Sequence, residues 1–389
     1  NEFHCHFSEC HCPACLQGFQ EWLAERYGSV EALNAAWGTA FWAQTYASFD
    51  EVVLPTGRPA YENPSQQLDY YRYLSHAVTL FQREQVRILR RHNPEWFVTH
   101  NGVFSHIDYR EFSRDLDFLS YDNYPLFWVR QAGPAATAAR LDRVRSYAGG
   151  FLVPEQQSGP GGQKPYLHET AEPGEMRLWA WQAVAHGADG VLHFRWRTCR
   201  FGAEAYWCGI LDHDNVPRRR YKEAAREGEE MARVGGEILG TRVRVEAGIL
   251  WDVWQQEIHQ TLPLGLPSPG EPADAVYKAL WRRKKAAGFV HPEDDFTGLR
   301  LLVVPHFVVI EPALAERLRR WVEEGGVLVV GARAGTRDGR NQVLPDTPPG
   351  PLAGLAGVTV SEWGSVSSYA NQVVLDGGSV PLWAWYEVL

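Results

Sequence analysis

The chain has 389 residues, 45% of them hydrophobic, which is enough to form the cores of roughly two or three globular domains. Its formal net charge of −9 at pH 7 excludes nucleic acid and anionic membranes as main partners, because both require a basic surface. No apolar run reaches the roughly 18 residues of a membrane-spanning helix. We therefore expect a small-molecule partner, no nucleic-acid or membrane partner, and a cytoplasmic location.

Helical periodicity dominates the beginning of the chain. Apolar residues at helical spacing predict one helix that ends before Gly28 and a second that begins at Val30. A single apolar stripe from Leu68 to Ile88 predicts a long helix over residues 64–92, which Asn93 and Pro94 terminate.

Short apolar runs then alternate with helical segments, which is the pattern of parallel βα units. The predicted strands end in polar or aromatic residues and cover residues 96–101, 117–124, 151–155 and 190–196. One helix is predicted from Met176 to Val184, and another follows Pro217. The glycines at positions 235, 236 and 240 predict a domain boundary.

A smaller α/β unit is predicted beyond residue 247. Its strands cover residues 249–254, 301–304 and 327–330, and its helices cover residues 273–287 and 312–323, which is typical of a doubly wound sheet. Its glycines lack the spacing and the Lys of a phosphate loop, so they predict turns. Residues 346–357, rich in Pro and Gly, predict a surface loop. The predicted domains are therefore residues 1–240 and 247–389.

Two acidic residues far apart in the chain have the surroundings of a catalytic pair. Glu155 follows the apolar strand that starts at Phe151, and Glu2 follows Asn1. Retaining glycosidases use two carboxyl groups about 5 Å apart, one to attack the anomeric carbon and one to protonate the leaving oxygen. Glu155 and Glu2 are the candidates for this pair. A solvated strand-end carboxylate and a frayed terminus are the respective alternatives.

Three of the six cysteines crowd into one short segment. Cys10, Cys12 and Cys15 are too close together for mutual disulfides, and three thiolates at this spacing suit one tetrahedral Zn²⁺. Such a site would be structural. Reduced thiols without a metal are the alternative.

Several stretches form a combination that is specific, although the Asn-Glu dipeptide alone is not. They are Asn1-Glu2, the cysteine segment 10–15, Leu33 to Gln44, Ser120 to Pro125, Glu155 to Pro160 and Arg177 to Asp189. Together they resemble glycoside hydrolase family 42, the microbial β-galactosidases, over essentially the whole chain.

The resemblance implies an α/β fold, namely part of a (β/α)8 TIM barrel followed by a smaller doubly wound trimerisation domain. It puts the acid/base at the end of barrel strand four and the nucleophile at the end of strand seven, the positions of Glu2 and Glu155. The first barrel strands and the family's C-terminal β domain would lie outside this sequence. A homotrimer of the complete protein is implied as well.

The resemblance also implies the residues around the sugar. The Asn1 amide would donate to the 2-hydroxyl group, and the further substrate-binding candidates are Trp42, Tyr109, Asp122, Glu204 and Trp207, with Tyr206 beside them. Ordinary packing is the alternative for Tyr109 and Tyr206. For zinc, the family's fourth cysteine lies upstream, so that Cys5, His4, His6 or His11 would have to replace it. No organic cofactor is implied.

Two departures from the family pattern bear on specificity. The family usually carries an Asn-Trp pair where this chain has Gly162-Gln163, and it carries His where this chain has Trp207. His193 is predicted to be a hydrogen-bonded core histidine rather than an acid or base. The predicted function is release of terminal β-D-galactose from small β-galactosides by double displacement.

Three alternatives remain at this point. The enzyme could prefer a related sugar, such as an α-L-arabinopyranoside, because of the two departures. The protein could be a degenerate sugar-binding or assembly subunit without turnover. A zinc-dependent hydrolase is disfavoured, since a thiolate-rich closed site offers no open position for water.

Overall fold

The computed structural model describes residues 2–5, 8–56, 62–163, 166–167, 169–366, 371–375, 377–382 and 384–389. The chain forms two compact units. The first unit comprises residues 1–5, 82–104 and 109–245, and the second unit comprises residues 6–81, 105–108 and 246–389. These units interleave along the sequence, whereas the predicted division into residues 1–240 and 247–389 is consecutive, and that division stays a prediction.

The described part of the chain contains both helices and strands. The α-helices are Pro13–Tyr27, Val30–Trp37, Pro64–His92, Tyr109–Phe112, Val129–Ala132, Pro134–Ala148, Glu175–Ala185, Arg219–Ile238, Val253–Thr261, Gly270–Arg282, Pro312–Glu323 and Ala353–Ala356. The strands are Thr99–His100, Phe118–Asn123, Phe151–Gln157, Gly162–Gln163, Tyr166–Leu167, Ala188–Phe194, Ala247–Leu250, Ala287–Val290, Leu301–Val304, Val327–Val330, Glu362–Ser365, Asn371–Leu375, Gly378–Leu382 and Trp385–Val388.

A parallel sheet of four strands forms the centre of the first unit. Its strands lie side by side in the order Thr99–His100, Phe118–Asn123, Phe151–Gln157 and Ala188–Phe194, which is also their order in the chain. The four predicted strands of this region are therefore confirmed, with shifted ends. Because the strands are parallel, their carboxyl ends meet along one edge, where barrel enzymes carry their catalytic groups.

Helices of the first unit bury the residues that their periodicity predicts. Helix Glu175–Ala185 buries Met176, Trp179, Ala180 and Ala183, and Met176 and Trp179 pack in one cluster with Ile210. Helix Arg219–Ile238 continues through Gly235 and Gly236, two of the three glycines that predict a domain boundary. A glycine costs a helix only about 1 kcal/mol relative to alanine, and packing can offset that amount.

The second unit contains its own parallel sheet, in the order Val327–Val330, Leu301–Val304, Ala247–Leu250 and Ala287–Val290. The chain places successive strands first on one side of Ala247–Leu250 and then on the other, as a doubly wound sheet does. The predicted strands 301–304 and 327–330 and the predicted helix 312–323 are confirmed. Leu250, Leu302, Val304, Leu318 and Trp321 are buried in the core between this sheet and its helix.

Three predictions for the second unit are wrong. The first strand ends at Leu250, and helix Val253–Thr261 follows because the Asp252 side chain accepts a hydrogen bond from the Trp254 amide and caps it. The next helix ends at Arg282 and an unpredicted strand follows from Ala287. The expected surface loop contains short helical turns over Gly350–Leu352 and Ala353–Ala356, and unpredicted antiparallel strands follow it.

The amino-terminal helices pack within the second unit. Helices Pro13–Tyr27 and Val30–Trp37 bury Phe19, Leu23 and Leu33 against Tyr70 of the long helix. That helix spans Pro64–His92, as its apolar stripe predicts. None of the helices in the described part of the chain combines the length and the apolar character that a membrane crossing requires.

Candidate active site

The carboxyl ends of two neighbouring strands in the first unit carry a pair of acids. Asp122 on strand Phe118–Asn123 and Glu155 on strand Phe151–Gln157 are partners in the parallel register. Carboxyl oxygens of Asp122, Glu155 and Glu2 all lie within 4.8 Å of one another. The structure therefore brings the two predicted catalytic acids together and adds a third carboxyl group beside them.

Aromatic packing holds the segment that carries Glu2. The Phe3 ring lies 4.5 Å from the His100 ring and contacts Phe112 edge to face at 6.2 Å. Burial lowers the pKa of His100 to about 4, so its ring is neutral at pH 7. The Cys5 amide donates to the Glu2 carbonyl oxygen at 3.0 Å and closes a turn. Glu2 is thus anchored to the first unit by its neighbours in sequence.

Glu155 is held by a hydrogen bond from a tyrosine on the adjacent strand's end. The Tyr124 hydroxyl donates to Glu155 Oε2 at 2.7 Å. Burial raises the pKa of Glu155 above its ordinary value, the Tyr124 bond and Arg195 act in the lowering direction, and Glu2 and Glu204 add to the rise. Burial thus outweighs the hydrogen bond and the positive neighbour, and the pKa of Glu155 rises.

The pKa of Asp122 is strongly raised. Burial raises its pKa to about 8, and the negative charge of Glu155 acts in the same direction. Asn101 Nδ2 donates to Asp122 Oδ2 at 2.8 Å and opposes part of the rise. At pH 7 this carboxyl group is therefore protonated and can donate a hydrogen bond.

Two more of the predicted sugar contacts lie near Glu155. Glu204 Oε2 is 3.1 Å from Arg195 Nη1, and both side chains influence the pKa of Glu155. The Trp207 ring contacts Tyr124 edge to face at 5.3 Å and Phe127 at 5.9 Å. Glu204 and Trp207 thus belong to the surroundings of the carboxyl cluster.

The remaining sugar candidates have different surroundings. Tyr109 is only 2% exposed, and its hydroxyl accepts a hydrogen bond from the Phe104 amide at 2.8 Å, which favours the packing interpretation. Tyr206 is 68% exposed and contacts the His213 ring. Trp42 lies in the second unit on the turn Phe41–Ala43 and is 60% exposed. Asn1 and the side chain of Gln163 lie outside the described part of the structure.

His193 is bonded to the helix behind the sheet, as predicted for a core histidine. Its Nε2 atom lies 3.0 Å from Glu227 Oε1 on helix Arg219–Ile238, and both side chains are largely buried.

The cysteine segment of the second unit forms a compact cluster. Sulfur atoms of Cys10, Cys12 and Cys15 lie within 4.8 Å of one another, and tetrahedral zinc with Zn–S bonds of about 2.3 Å brings its sulfurs to roughly 3.8 Å. Hydrogen bonding from the Cys15 backbone lowers the pKa of the Cys12 thiol to about 7, whereas burial raises that of Cys15 to about 12. The Tyr70 hydroxyl accepts from the Cys10 amide and donates to the Cys10 carbonyl oxygen, which fixes the first cysteine. The donor set therefore fits three of the four ligands of a zinc ion.

The possible fourth ligands are not equivalent. His11 Nε2 lies 2.8 Å from the Pro55 carbonyl oxygen and is already hydrogen-bonded. Cys5 and His4 belong to the first unit, where burial and the charge of Glu2 raise the pKa of the Cys5 thiol. His6 lies outside the described residues.

Sequence reasoning missed three polar residues around the carboxyl cluster. Tyr124 bonds Glu155, Asn101 bonds Asp122, and Arg195 bonds Glu204. Each lies at or beside the carboxyl end of a strand, Tyr124 and Asn101 as the last residues of their predicted strands. Their position was therefore the available signal, since polar residues there are typical of a barrel active site.

Comparison with known proteins places the chain in a family. Residues 1–234 match the glycoside hydrolase family 42 described as "Beta-galactosidase", and residues 246–389 match the "Beta-galactosidase trimerisation domain". A beta-galactosidase from Thermus thermophilus is 37% identical over 407 aligned positions, which cover 100% of this chain and 62% of that protein. Beta-galactosidase Bga from Halorubrum lacusprofundi is 36% identical, with 93% of this chain and 54% of that protein covered.

Solved structures that resemble this chain belong to beta-galactosidases as well. The crystal structure of beta-galactosidase from the psychrophilic Marinomonas ef1 matches 100% of this chain and 63% of that chain, with a TM-score of 0.92 and 31% identity. The chain thus spans somewhat more than half the length of the relatives that it matches. The predicted fold class, part of a TIM barrel followed by a trimerisation-type α/β domain, is confirmed by this likeness. The chain belongs to glycoside hydrolase family 42, the beta-galactosidase family.

Proposed function

We propose that the complete protein is a retaining glycoside hydrolase that releases terminal β-D-galactose from small β-galactosides. The observation that carries the proposal is the separation of at most 4.8 Å between carboxyl oxygens of Glu2 and Glu155. Retaining enzymes have their two carboxyl groups about 5–5.5 Å apart, whereas inverting enzymes need roughly 6.5–9.5 Å to admit a water molecule between them. A galactoside is proposed as the substrate because the relatives are named beta-galactosidases.

Glu155 is the nucleophile in this proposal. Its carboxylate oxygen bonds to the anomeric carbon while the glycosidic C–O bond breaks and Glu2 gives its proton to the leaving oxygen. Glu2 then removes a proton from water, whose oxygen attacks the anomeric carbon and releases Glu155. The Tyr124 hydrogen bond supports the assignment, because it fixes one oxygen of Glu155 and leaves the other for attack.

The sugar contacts are proposed around this pair. Glu204 accepts hydrogen bonds from sugar hydroxyls while Arg195 holds its carboxylate, and the protonated Asp122 donates one. Trp207 supplies an apolar surface beside Tyr124. Asn1 and Trp42 remain substrate-binding candidates on the strength of the family resemblance, whereas the burial of Tyr109 favours a packing role.

A structural zinc ion is proposed at Cys10, Cys12 and Cys15. The support is the clustering of their sulfur atoms and the lowered pKa of the Cys12 thiol, which favours the thiolate that zinc binds. When bound, the ion cross-links the segment that precedes helix Pro13–Tyr27. No organic cofactor is needed for the two-carboxylate reaction.

Assembly and location follow as further parts of the proposal. We propose a homotrimer, because residues 246–389 match a domain described as a beta-galactosidase trimerisation domain. We propose a cytoplasmic location because reduced thiolates as metal ligands suit a reducing compartment.

One observation favours a second candidate. Trp207 occupies the position of a usual family histidine and packs against Tyr124, the residue that bonds Glu155. A changed sugar site could favour an α-L-arabinopyranoside, or it could bind galactose without turnover. Calorimetry with galactose and assays of aryl β-galactosides and α-arabinopyranosides on the same preparation separate these outcomes, because a degenerate subunit binds the sugar and hydrolyses neither.

The test of the main proposal is Glu155→Ala in the complete protein. We expect hydrolysis of an aryl β-galactoside to fall by more than about 10³-fold, since no other group forms the covalent intermediate. Glu172→Ala, at an exposed position of the same unit, is the matched control and keeps the wild-type rate. Activity of Glu155→Ala within about tenfold of wild type contradicts the assignment.

A further inference from the structure

A small, partly open cavity in the second unit is lined by four basic side chains and reaches the surface beside Leu262 and Pro263. The His259 and His306 rings meet edge to face with their centroids 5.4 Å apart, and Arg333 and Arg337 complete the basic part of the wall. The volume is about 10 Å³, which is the space of one water-sized particle. The rest of the wall consists of Ile258, Leu262, Pro263, Leu264, Leu266, Val308 and Thr336.

Neither the Arg333 nor the Arg337 guanidinium group forms an ion pair with a carboxylate of the described residues. Arg333 is 7% exposed, and its buried Nη1 atom has no hydrogen-bond partner among the described residues. Its guanidinium lies over the Trp363 ring at 4.8 Å. Arg337 donates to Asn341 Oδ1 at 2.8 Å and to the Leu262 carbonyl oxygen at 3.3 Å, which are neutral acceptors.

The charges around the cavity do not balance. Burial lowers the pKa of Arg337 to about 10, and Arg333 acts in the same direction. Burial lowers the pKa of His306 to about 4, so this ring is neutral at pH 7. Glu387 offsets one positive charge, since it acts on Arg333 and accepts a hydrogen bond from its amide at 3.0 Å. Glu271 acts only on His259 among these groups.

We propose that this cavity binds a single chloride ion. With both guanidinium groups charged and Glu387 ionised, an excess of one positive charge remains, which one monovalent anion cancels. A buried charge without a partner is costly, and an anion beside the guanidinium groups cancels the excess charge, which a neutral water molecule does not. Phosphate and sulfate carry four oxygen atoms around a central atom and are larger than a monatomic chloride ion, so they fit this small, partly open cavity less well. Chloride is also compatible with the unpartnered Nη1 donor of Arg333 and with the apolar remainder of the wall.

Bound chloride should stabilise the second unit. The cavity joins the end of helix Val253–Thr261 to residues 306–308 and 333–337, so the ion binds the folded state and not the unfolded chain. A ligand with this selectivity raises the unfolding midpoint as its concentration rises. The effect is independent of the glycosidase proposal, because the cavity contains none of the carboxyl groups assigned to catalysis.

The test compares thermal unfolding of the complete protein in sodium chloride and in sodium gluconate at one ionic strength. We expect the midpoint to rise with chloride until the site is saturated, and the rise to disappear in Arg333→Met. Arg340→Met, at an exposed position of the same unit, is the control and keeps the rise. Equal midpoints of the wild type in both salts overturn the proposal.

A second measurement needs no variant, in case Arg333→Met does not fold. Wild-type crystals are soaked in sodium bromide, and the anomalous scattering of bromine is mapped. A peak in the cavity within hydrogen-bond distance of Arg333 supports the proposal. A water molecule at that position, with no anomalous peak in the cavity, overturns it.

Discussion

Asp122 and Glu155 are register partners on neighbouring parallel strands, and their carboxyl oxygens lie within 4.8 Å of each other and of a carboxyl oxygen of Glu2. Three carboxyl groups this close cannot all be ionised in a largely buried site, because like charges in a low-dielectric environment repel strongly. The raised pKa of Asp122 identifies it as a group that keeps its proton at pH 7. The site can thus combine an ionised carboxylate with a carboxyl group that donates hydrogen bonds.

Asp122→Asn should change how stability depends on pH. The folded-state pKa of Asp122 is about 8, against an ordinary value of 3.8, so between these values the folded protein binds more protons than the unfolded chain. Its stability therefore falls as the pH rises through this window. We expect the variant to lose less stability than wild type between pH 5 and pH 8 in urea unfolding.

The control for this experiment is Asp189→Asn, at an exposed strand position. It should follow the wild-type pH dependence. An Asp122→Asn protein whose stability declines with pH as steeply as that of wild type would show that Asp122 does not hold the buried proton.

Tyr124→Phe should weaken catalysis while the fold is retained. It removes the hydroxyl that donates to Glu155, and hydrogen bonds to charged groups contribute about 1.5–3 kcal/mol, which corresponds to roughly 10- to 150-fold in kcat/KM. Because this bond lowers the pKa of Glu155, the acidic limb of the kcat/KM profile should also move to higher pH. Tyr221→Phe, on the helix behind the sheet, is the control. An unchanged pH profile in Tyr124→Phe would argue against the nucleophile assignment.

Glu2→Ala should discriminate between leaving groups. An acid/base residue contributes about 10²–10⁴-fold when the leaving oxygen needs a proton, and little when the leaving group departs as a stable anion. We therefore expect a large loss of kcat/KM with lactose and a small loss with a dinitrophenyl galactoside. Added azide should restore turnover of the activated substrate, because it replaces the water that Glu2 would deprotonate. An equal loss with both substrates would remove Glu2 from the proton-transfer role.

Zinc content tests the cysteine cluster. We expect about one zinc ion per chain by elemental analysis of the complete protein, and a marked loss in Cys12→Ser, whose thiol has a pKa of about 7. Cys199→Ser is the control, since this cysteine is not part of the cluster. Chelation should lower the thermal midpoint, because the ion is structural. Full zinc retention in Cys12→Ser would refute the ligand set.

Elements with a long apolar pattern are predicted better than elements with a short one. Helix Pro64–His92 is predicted closely because a long apolar stripe precedes a clear Asn-Pro stop. Strand Ala287–Val290 is short and apolar and follows a helix after only four residues, so the predicted helix 273–287 extends over that gap and no strand is predicted. The antiparallel strands after residue 361 alternate weakly and gave no signal. Asp252, by contrast, was a recognisable cap whose helix could have been predicted.

The sequence predicts those residues of the site that lie at the carboxyl ends of predicted strands. Glu155 ends one predicted strand and Asp122 lies near the end of the preceding one, so their proximity follows from a parallel sheet. The place of Glu2 rests on the family resemblance, because no local pattern brings the second residue to a site more than 100 positions away. The raised pKa of Asp122 depends on burial and on Glu155 across the strand, which a linear sequence does not contain.

The stereochemistry of the first product tests the central claim most directly. Proton NMR of the complete protein acting on an aryl β-galactoside, recorded before mutarotation, resolves the anomeric proton of the released galactose. With Glu2 and Glu155 as close as they are here, we predict that β-galactose appears first and the α anomer only later. If α-galactose appears first, the reaction inverts, and the double displacement through Glu155 is contradicted.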